Sequence, residues 1–400
     1  VTDPFWPGDH RAGMVMSDAA LFDALVSVEN AWLAILVECG VAPEAARAEL
    51  SELVGPGDLG TVAAGAERDG NPVPGLVALL RERADDATAR WVHRGLTSQD
   101  VVDSALMLCL RDALNAITEL LTNQVRTLTD LTERHRGTPM LTRTLTQPAL
   151  PGTAGLKFAG WLSGVLDAAD GVAALPAPAV QVGGAAGTMA AATELGGSPE
   201  AAARLVGTLA ERLGLVTAPP WHTRRSVLTR AGDALVSCCD AWGRIANDVA
   251  TGSRAEIGEF TEGFLGGSST MPHKNNPVLS VLLRRTALTA PPLGATLHAA
   301  SAAQVDERAD GGWHAEWATV RTLARRTVVA ASQAADLLAG LRVDTVKAAA
   351  NLAVAQGIYA EQQTMSGLTG HQPAPTYLGA TEHLIDTALL RARHYLEEPR

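Results

Sequence analysis

The sequence predicts an all-α protein whose long helices pack side by side as a bundle. Apolar residues recur at three- and four-residue intervals over long stretches, which is the helical period. Alternating, strand-like patterns are scarce, and several stretches continue for many turns with nothing to stop a helix. Helices of that length bury their apolar faces most readily against one another.

In chain order, the first helix is expected from Ser17 to Cys39. Leu21, Leu25, Val28, Trp32, Ile35 and Cys39 share one face, Ser17 or Asp18 can cap the start, and Gly40 ends it. After Leu96, Thr97 and Ser98 can cap a helix that meets no Gly or Pro before Gly137, a length of roughly 38 residues or about 57 Å. Further helical patterns run from about Gly155 to Leu175, from about Arg224 to Glu256, and from about Pro277 to Leu341 with at most a break near Pro291 and Pro292. The Arg224–Glu256 stretch, with Leu228, Ala234, Leu235, Cys238, Cys239, Trp242, Ile245 and Val249, comes close to being apolar all round and calls for cover on every side. After about Val343 a short helical pattern is followed by TMSGLTGHQPAPTYLG and a final helix from about Ala380. These elements suggest an N-terminal helical domain (1–96), a central long-helix domain (97–342) and a short C-terminal helical domain (343–400).

Four hundred residues suffice for two or three domains and a large apolar interior. The net charge is −11, and no segment gathers lysine and arginine into a stripe, which argues against nucleic acid or an anionic membrane surface as a partner. Cys39, Cys109, Cys238 and Cys239 lie in apolar helical patterns without metal-ligand or C-x-x-C spacing, as reduced core residues of a cytoplasmic protein would. The N-terminal VTDPFWPGDHRAG has neither a basic nor an apolar leader region, and no uncharged apolar run reaches about 18 residues. The composition favours a soluble enzyme acting on a small molecule over a nucleic-acid- or membrane-binding protein.

Three polar segments interrupt the helical text: HRGLTSQD at 93–100, TRTLTQPALPGTAG at 142–155 and GSSTMPHKNNP at 267–277. TSQD has the make-up of a helix N-cap, which is compatible with a binding role. The third segment closes a glycine-rich stretch, 258–277, inside otherwise helical sequence. Its dense cluster of Met271, Pro272, His273, Lys274 and Asn276 is unlike a Gly/Ser spacer and points to an active-site loop.

GSSTMPHKNNP is similar at every defining position to the G-S-S-x-M-P-x-K-x-N-P loop of the fumarase/aspartase superfamily, and TSQD resembles that superfamily's first motif. The resemblance extends over nearly the whole chain in order and spacing. Trp221-His222-Thr223-Arg224, VDERADGGWHAEW from Val305 to Trp317, and YLGATEHLID from Tyr377 resemble the 3-carboxy-cis,cis-muconate cycloisomerase branch. Relatives usually continue with a longer helical region before the YLGA-type segment, so the C-terminal domain reads as shortened.

The resemblance implies a fumarase/aspartase-type helical fold and a homotetramer with a shared central bundle and active sites built from three chains. It implies a polycarboxylate substrate and a reaction through an aci-carboxylate, with no metal or organic cofactor. In the cycloisomerase branch the reaction closes 3-carboxy-cis,cis-muconate to 4-carboxymuconolactone, in protocatechuate degradation by the β-ketoadipate route. Ser268 corresponds to the residue that exchanges the carbon-bound proton. A free serine hydroxyl is too weak an acid or base for that, so Lys274, backbone N–H groups of a closed Gly266-Gly267-Ser268 turn and exclusion of water are needed to favour the alkoxide that works in the elimination direction. Lys274 and Asn276 correspond to ligands of the substrate carboxylate, with Thr97, Ser98 and Gln147 as further donors and Ser269 and Met271 completing the loop's share. His93 resembles a substrate-contacting histidine of the adenylosuccinate lyase branch, though a lone histidine is also a common structural residue. Arg11 and Arg308 are candidates for the remaining carboxylates, or else exposed ion pairs.

Many relatives have T-x-x-Q-H-A-x-P-x-T-F-G in the second segment, with its histidine a proposed general acid. This chain has Pro148 in that place and Ala154 in place of the phenylalanine. Proline cannot protonate a leaving group. Loss of the acid would handicap release of an amine, whereas a carboxylate, with a conjugate-acid pKa near about 4, departs unprotonated. A lyase releasing fumarate or a related acid from a substituted succinate, of adenylosuccinate or nitrosuccinate type, is the alternative on the same scaffold.

Overall fold

Ser17 accepts a hydrogen bond from the Ala20 N–H and so starts the first helix where the capping pattern places it, in the computed structural model that describes residues 3–264, 266–267, 270–271, 274–308 and 310–397. Fourteen α-helices are present among these residues: α1 (Asp18–Glu38), α2 (Leu59–Asp69), α3 (Val73–Arg83), α4 (Asp86–Trp91), α5 (Ser98–Arg134), α6 (Ala154–Ala173), α7 (Ala190–Gly196), α8 (Pro199–Leu213), α9 (Ser226–Gly252), α10 (Val278–Ala302), α11 (Gly311–Gly340), α12 (Thr345–Val354), α13 (Ala360–Thr369) and α14 (Thr381–Glu397). The expectation of a helical protein holds. By length and composition α1 alone among the described helices could cross a membrane, and 67% of its apolar window is buried.

Two short antiparallel ribbons are additional. Strands β1 (Pro139–Thr144) and β2 (Gln147–Thr153) form a hairpin, and β3 (Phe260–Thr261) pairs with β4 (Arg342–Val343). The polar segment 142–155 is therefore mostly hairpin. Its sequence hides the strands because Pro148 and Pro151 interrupt any alternation. A two-stranded ribbon tolerates prolines that a central strand would not. A register shift between Leu141 and Arg143 is bridged by the Thr142 hydroxyl, which donates to Leu150 O at 2.7 Å and accepts from Leu150 N at 3.0 Å.

The described chain forms two compact units. The first takes in the chain up to Ala116, Leu175–Asp233 and Pro292–Val328; the second takes in Ile117–Ala174, Ala234–Pro291 and the chain from Val329. In the first unit α1 packs on α8, and α2 on α3. A Cβ on Gly232 of α9 would lie 2.7 Å from Leu297 of α10, so these helices meet at glycine distance. In the second unit α14 packs on α6 and α12 on β1. There the buried Gln124 of α5 accepts from Trp242 Nε1 at 2.7 Å and donates to Ala331 O at 2.9 Å, tying α5, α9 and α11.

Three expectations are corrected. The helix expected to break near Pro291 and Pro292 runs through both, which are exposed on α10, and the break falls instead between Ala302 and Gly311. There Asp306 adopts a left-handed φ of 47°, and a Cβ on Gly312 would come 2.9 Å from Ala300 O, so the chain turns back tightly. The α9 side chains read as apolar are all buried, but Arg230, Asp233, Ser237, Asp240 and Arg244 form a solvent-exposed polar stripe, so cover on every side is not required. Cys109, Cys238 and Cys239 are buried thiols outside any disulfide, as expected, whereas Cys39 is exposed because it lies at the C-cap of α1, past the last buried turn.

Candidate active site

The TSQD segment opens α5 in the first unit. Asp100 Oδ2 accepts from Thr97 N at 2.9 Å, the reciprocal half of a capping box. The same buried carboxylate accepts from Gly183 N at 2.8 Å and Gly184 N at 3.0 Å, and His222 Nε2 lies 2.8 Å from its Oδ1. Asp100 therefore fastens the start of α5 to the glycine loop before α7 and to the segment before α9. A Cβ on Gly183 would fall 2.6 Å from the His222 ring, so only glycine admits this histidine.

One turn further along α5, Asp103 receives Arg225 in bidentate fashion, Nη1 to Oδ2 at 2.7 Å and Nη2 to Oδ1 at 2.9 Å. Trp313 Nε1 adds a donor at 3.0 Å, and the other edge of Arg225 grips Glu316, Nη2 to Oε2 at 2.6 Å. All three charged groups are buried. Burial opposes the Arg225 charge, but Asp103 and Glu316 outweigh it and raise its proton affinity. Burial likewise pushes the Glu316 carboxyl up, against the opposing pull of Arg225. Trp221 closes the cluster, its ring 4.7 Å from the Arg225 guanidinium. The WHTRR and GGWHAEW motifs thus meet in one buried network behind the TSQD helix start.

Thr97 and Ser98 are left half-exposed at that start, and His93 lies on the same segment, half-exposed, with Nδ1 2.6 Å from Glu29 Oε1. Arg308 stacks 6.0 Å from the Trp313 ring centroid. Arg11 lies half-buried in a single 3-10 turn, Asp9–Ala12. All of these belong to the first unit.

The second unit carries the other candidates. Gln147 stands exposed next to the β1–β2 turn, its Nε2 donating to Thr146 Oγ1 at 3.3 Å. The turn residues Leu145 and Thr146 have φ of 48° and 71°, the conformation that hairpin turns normally give to Asn-Gly. Arg143 beside them is held by the buried Glu259 through two hydrogen bonds of 2.9 and 2.8 Å, and Asn351 donates to the same carboxylate at 2.8 Å. The hairpin is thereby fixed to α12 and to the start of the glycine-rich loop.

In that loop Gly266 and Asn276 exchange backbone hydrogen bonds of 3.0 and 2.9 Å, which close its neck. A Cβ on Gly266 would lie 2.1 Å from Val278, so the closure demands glycine. Glu262 accepts from Leu279 N at 3.1 Å and Ser280 N at 2.8 Å and caps α10 at the loop's exit. Asn276 directs its amide to Gly267 O at 3.4 Å, Lys274 is exposed, and Met271 is also exposed. Ser268, Ser269 and His273 lie outside the described residues. Among the described residues no group of three or more His, Cys, Asp or Glu is arranged to hold a metal ion.

Sequence reasoning passed over Asp100, Asp103, Arg225, Glu316, Glu29, Arg143 and Glu259. Asp100 alone carried a signal, three residues after a capping threonine; the others are partners over sequence separations that no local pattern marks.

A lyase family model matches residues 49–290. Nitrosuccinate lyase from Streptomyces davaonensis is 41% identical over 366 residues, 88% of this chain and 77% of that protein. A 3-carboxy-cis,cis-muconate cycloisomerase from Pseudomonas aeruginosa is 36% identical over 399 residues, 96% of this chain and 84% of the relative. The crystal structure of 3-carboxy-cis,cis-muconate lactonizing enzyme from Pseudomonas putida matches with a TM-score of 0.81 at 30% identity, covering 97% of this chain and 86% of that one.

Proposed function

The chain belongs to this lyase family, within the fumarase/aspartase superfamily, and on that footing we propose that it closes 3-carboxy-cis,cis-muconate to 4-carboxymuconolactone. The observation that carries the reading is the likeness to cycloisomerases over nearly the whole chain; Pro148, exposed in β2 beside Gln147 where many relatives have a histidine, agrees with it. A group there cannot give a proton to a leaving group. A substrate whose nucleophile and leaving group is its own carboxylate needs no such proton.

In this reading Thr97, Ser98, Gln147, Lys274 and Asn276 bind the carboxylate into which charge spreads, with Ser269 and Met271 lining the loop. Arg11 and Arg308 meet the other carboxylates. Stabilising the aci-carboxylate is the main catalytic task, and preorganised donors perform it best where water is excluded. An intramolecular carboxylate adds to the neighbouring alkene carbon, the aci-carboxylate forms, and Ser268 delivers a proton to carbon. Closure of the 258–277 loop over substrate excludes water and lets the charge of Lys274 favour the Ser268 anion, so loop closure and activation of Ser268 are one event in this reading. A homotetramer completes each site in this reading.

The 41% identity with a nitrosuccinate lyase favours a second reading, release of nitrite from nitrosuccinate. Nitrite is also a weakly basic oxyanion that leaves without a proton, so Pro148 suits it equally. The test is an ultraviolet assay for loss of the conjugated diene of 3-carboxy-cis,cis-muconate, run beside nitrosuccinate and adenylosuccinate. Diene loss that disappears in Ser268→Ala, with assembly unchanged, is expected. Nitrite release with an untouched diene replaces the first reading by the second, and turnover of adenylosuccinate alone overturns the leaving-group argument.

A further inference from the structure

The segment that joins α4 to α5 is pinned on both sides of His93. Arg81 of α3 donates through Nη2 to Val92 O at 2.9 Å, and Trp32 of α1 donates through Nε1 to Arg94 O at 2.6 Å. Between these anchors His93 is held at φ 64°, a left-handed conformation that persists in a side-chain-bearing residue only where its surroundings fix it. Glu29, one turn before Trp32 on α1, is buried and sets its Oε1 2.6 Å from His93 Nδ1; its Oε2 is buried without a partner. The His93 side chain keeps 18% of its surface, and among the described residues its Nε2 has no hydrogen-bond partner. Arg81 from α3 is the charge that faces Glu29, and Arg94 on the same segment lies close enough to Arg81 to oppose its charge.

We propose that Glu29 is a positioning residue that accepts the Nδ1–H of His93 and supplies the counter-charge that lets Nε2 take up a proton and offer an N–H to a carboxylate of the substrate. A carboxylate against one ring nitrogen fixes the tautomer, leaving the other nitrogen as the working atom. On binding, one proton passes from solvent to Nε2, and the imidazolium lies between two carboxylates, one of the protein and one of the ligand. On product release that proton returns to solvent. This role rests on the polycarboxylate reading above, but its test does not depend on turnover.

In the full-length protein with ¹⁵N-labelled histidine, assigned with His93→Asn, the neutral form of His93 is expected as the Nδ1–H tautomer. Calorimetry with propane-1,2,3-tricarboxylate, an unreactive tricarboxylate, in two buffers of different ionisation enthalpy at mildly alkaline pH should show uptake of close to one proton. In Glu29→Gln the uptake should vanish and binding weaken roughly tenfold or more, with Glu29→Asp recovering part of both. An Nε2–H tautomer in the wild type, or Glu29→Gln binding with unchanged proton uptake, overturns the proposal; the tautomer needs no variant of Glu29 and decides even where the probe binds weakly. Failure of the muconate and nitrosuccinate assays alongside the expected tautomer and proton uptake would reject the assigned reaction and leave the Glu29–His93 pair standing.

Discussion

Arg225 is the residue on which the first unit's polar interior turns. It satisfies Asp103 and Glu316 simultaneously, and no water-accessible surface is left to either carboxylate. Removing one partner of a buried ion pair leaves uncompensated charge, which costs far more than the pair itself contributes. Arg225→Met, which keeps much of the volume, is therefore expected to lower unfolding stability by about 3–5 kcal/mol in denaturant titrations. Glu316→Gln should cost less, because Arg225 keeps its bidentate partner Asp103. None of this was visible as a local pattern: Arg225 and Glu316 are separated by 91 residues, Arg225 stands just past the Trp221–Arg224 motif, and Glu316 is one of several charges in the Val305–Trp317 run.

At the scale of elements, the β1–β2 hairpin is the feature that sequence pattern concealed. Period-two alternation is the signal for strands, and prolines at 148 and 151 with Gly152 erase it. The turn is strained, since Leu145 and the β-branched Thr146 occupy left-handed conformations, and Leu145 is 96% exposed. Replacing Leu145-Thr146 by Asn-Gly should raise thermal stability, by about 0.5–1 kcal/mol, because the turn conformation then carries no side-chain penalty. A variant with unchanged stability would show that the strain is absorbed elsewhere. By contrast the caps were legible: Ser17 starts α1 as expected, and Thr97 with Asp100 starts α5, because caps depend on residues within one turn. The prolines of α10 show the limit of such signals, since exposed prolines near a helix's middle leave the helix unbroken when packing on its other face holds it.

For the whole molecule, α10 displays Val281 and Leu288 to solvent, 53% and 77% exposed, two turns apart on one face of the second unit. Covering it with further copies of the chain is the arrangement that the tetramer reading calls for, and sedimentation should give four chain masses. Leu288→Glu is expected to shift the protein to smaller species without loss of helix content, and a wild type that sediments as a monomer would remove the shared-site part of the proposed mechanism.

The amino-acid sequence by itself determined the helical class, the starts of α1, α5, α6 and α10 and the glycine-rich segment at 258–277, because each depends on residues a few positions apart: a period, a cap, a run of glycines. It also carried the family resemblance that the comparisons bear out. Only the tertiary structure decided that His222, Arg225, Trp313 and Glu316 serve one buried network around Asp100 and Asp103, that Glu259 holds Arg143 at the hairpin, and that Glu29 stands behind His93. Those pairings join residues 64 to 210 positions apart, and what selects them is the desolvation of charged groups that only folding brings together.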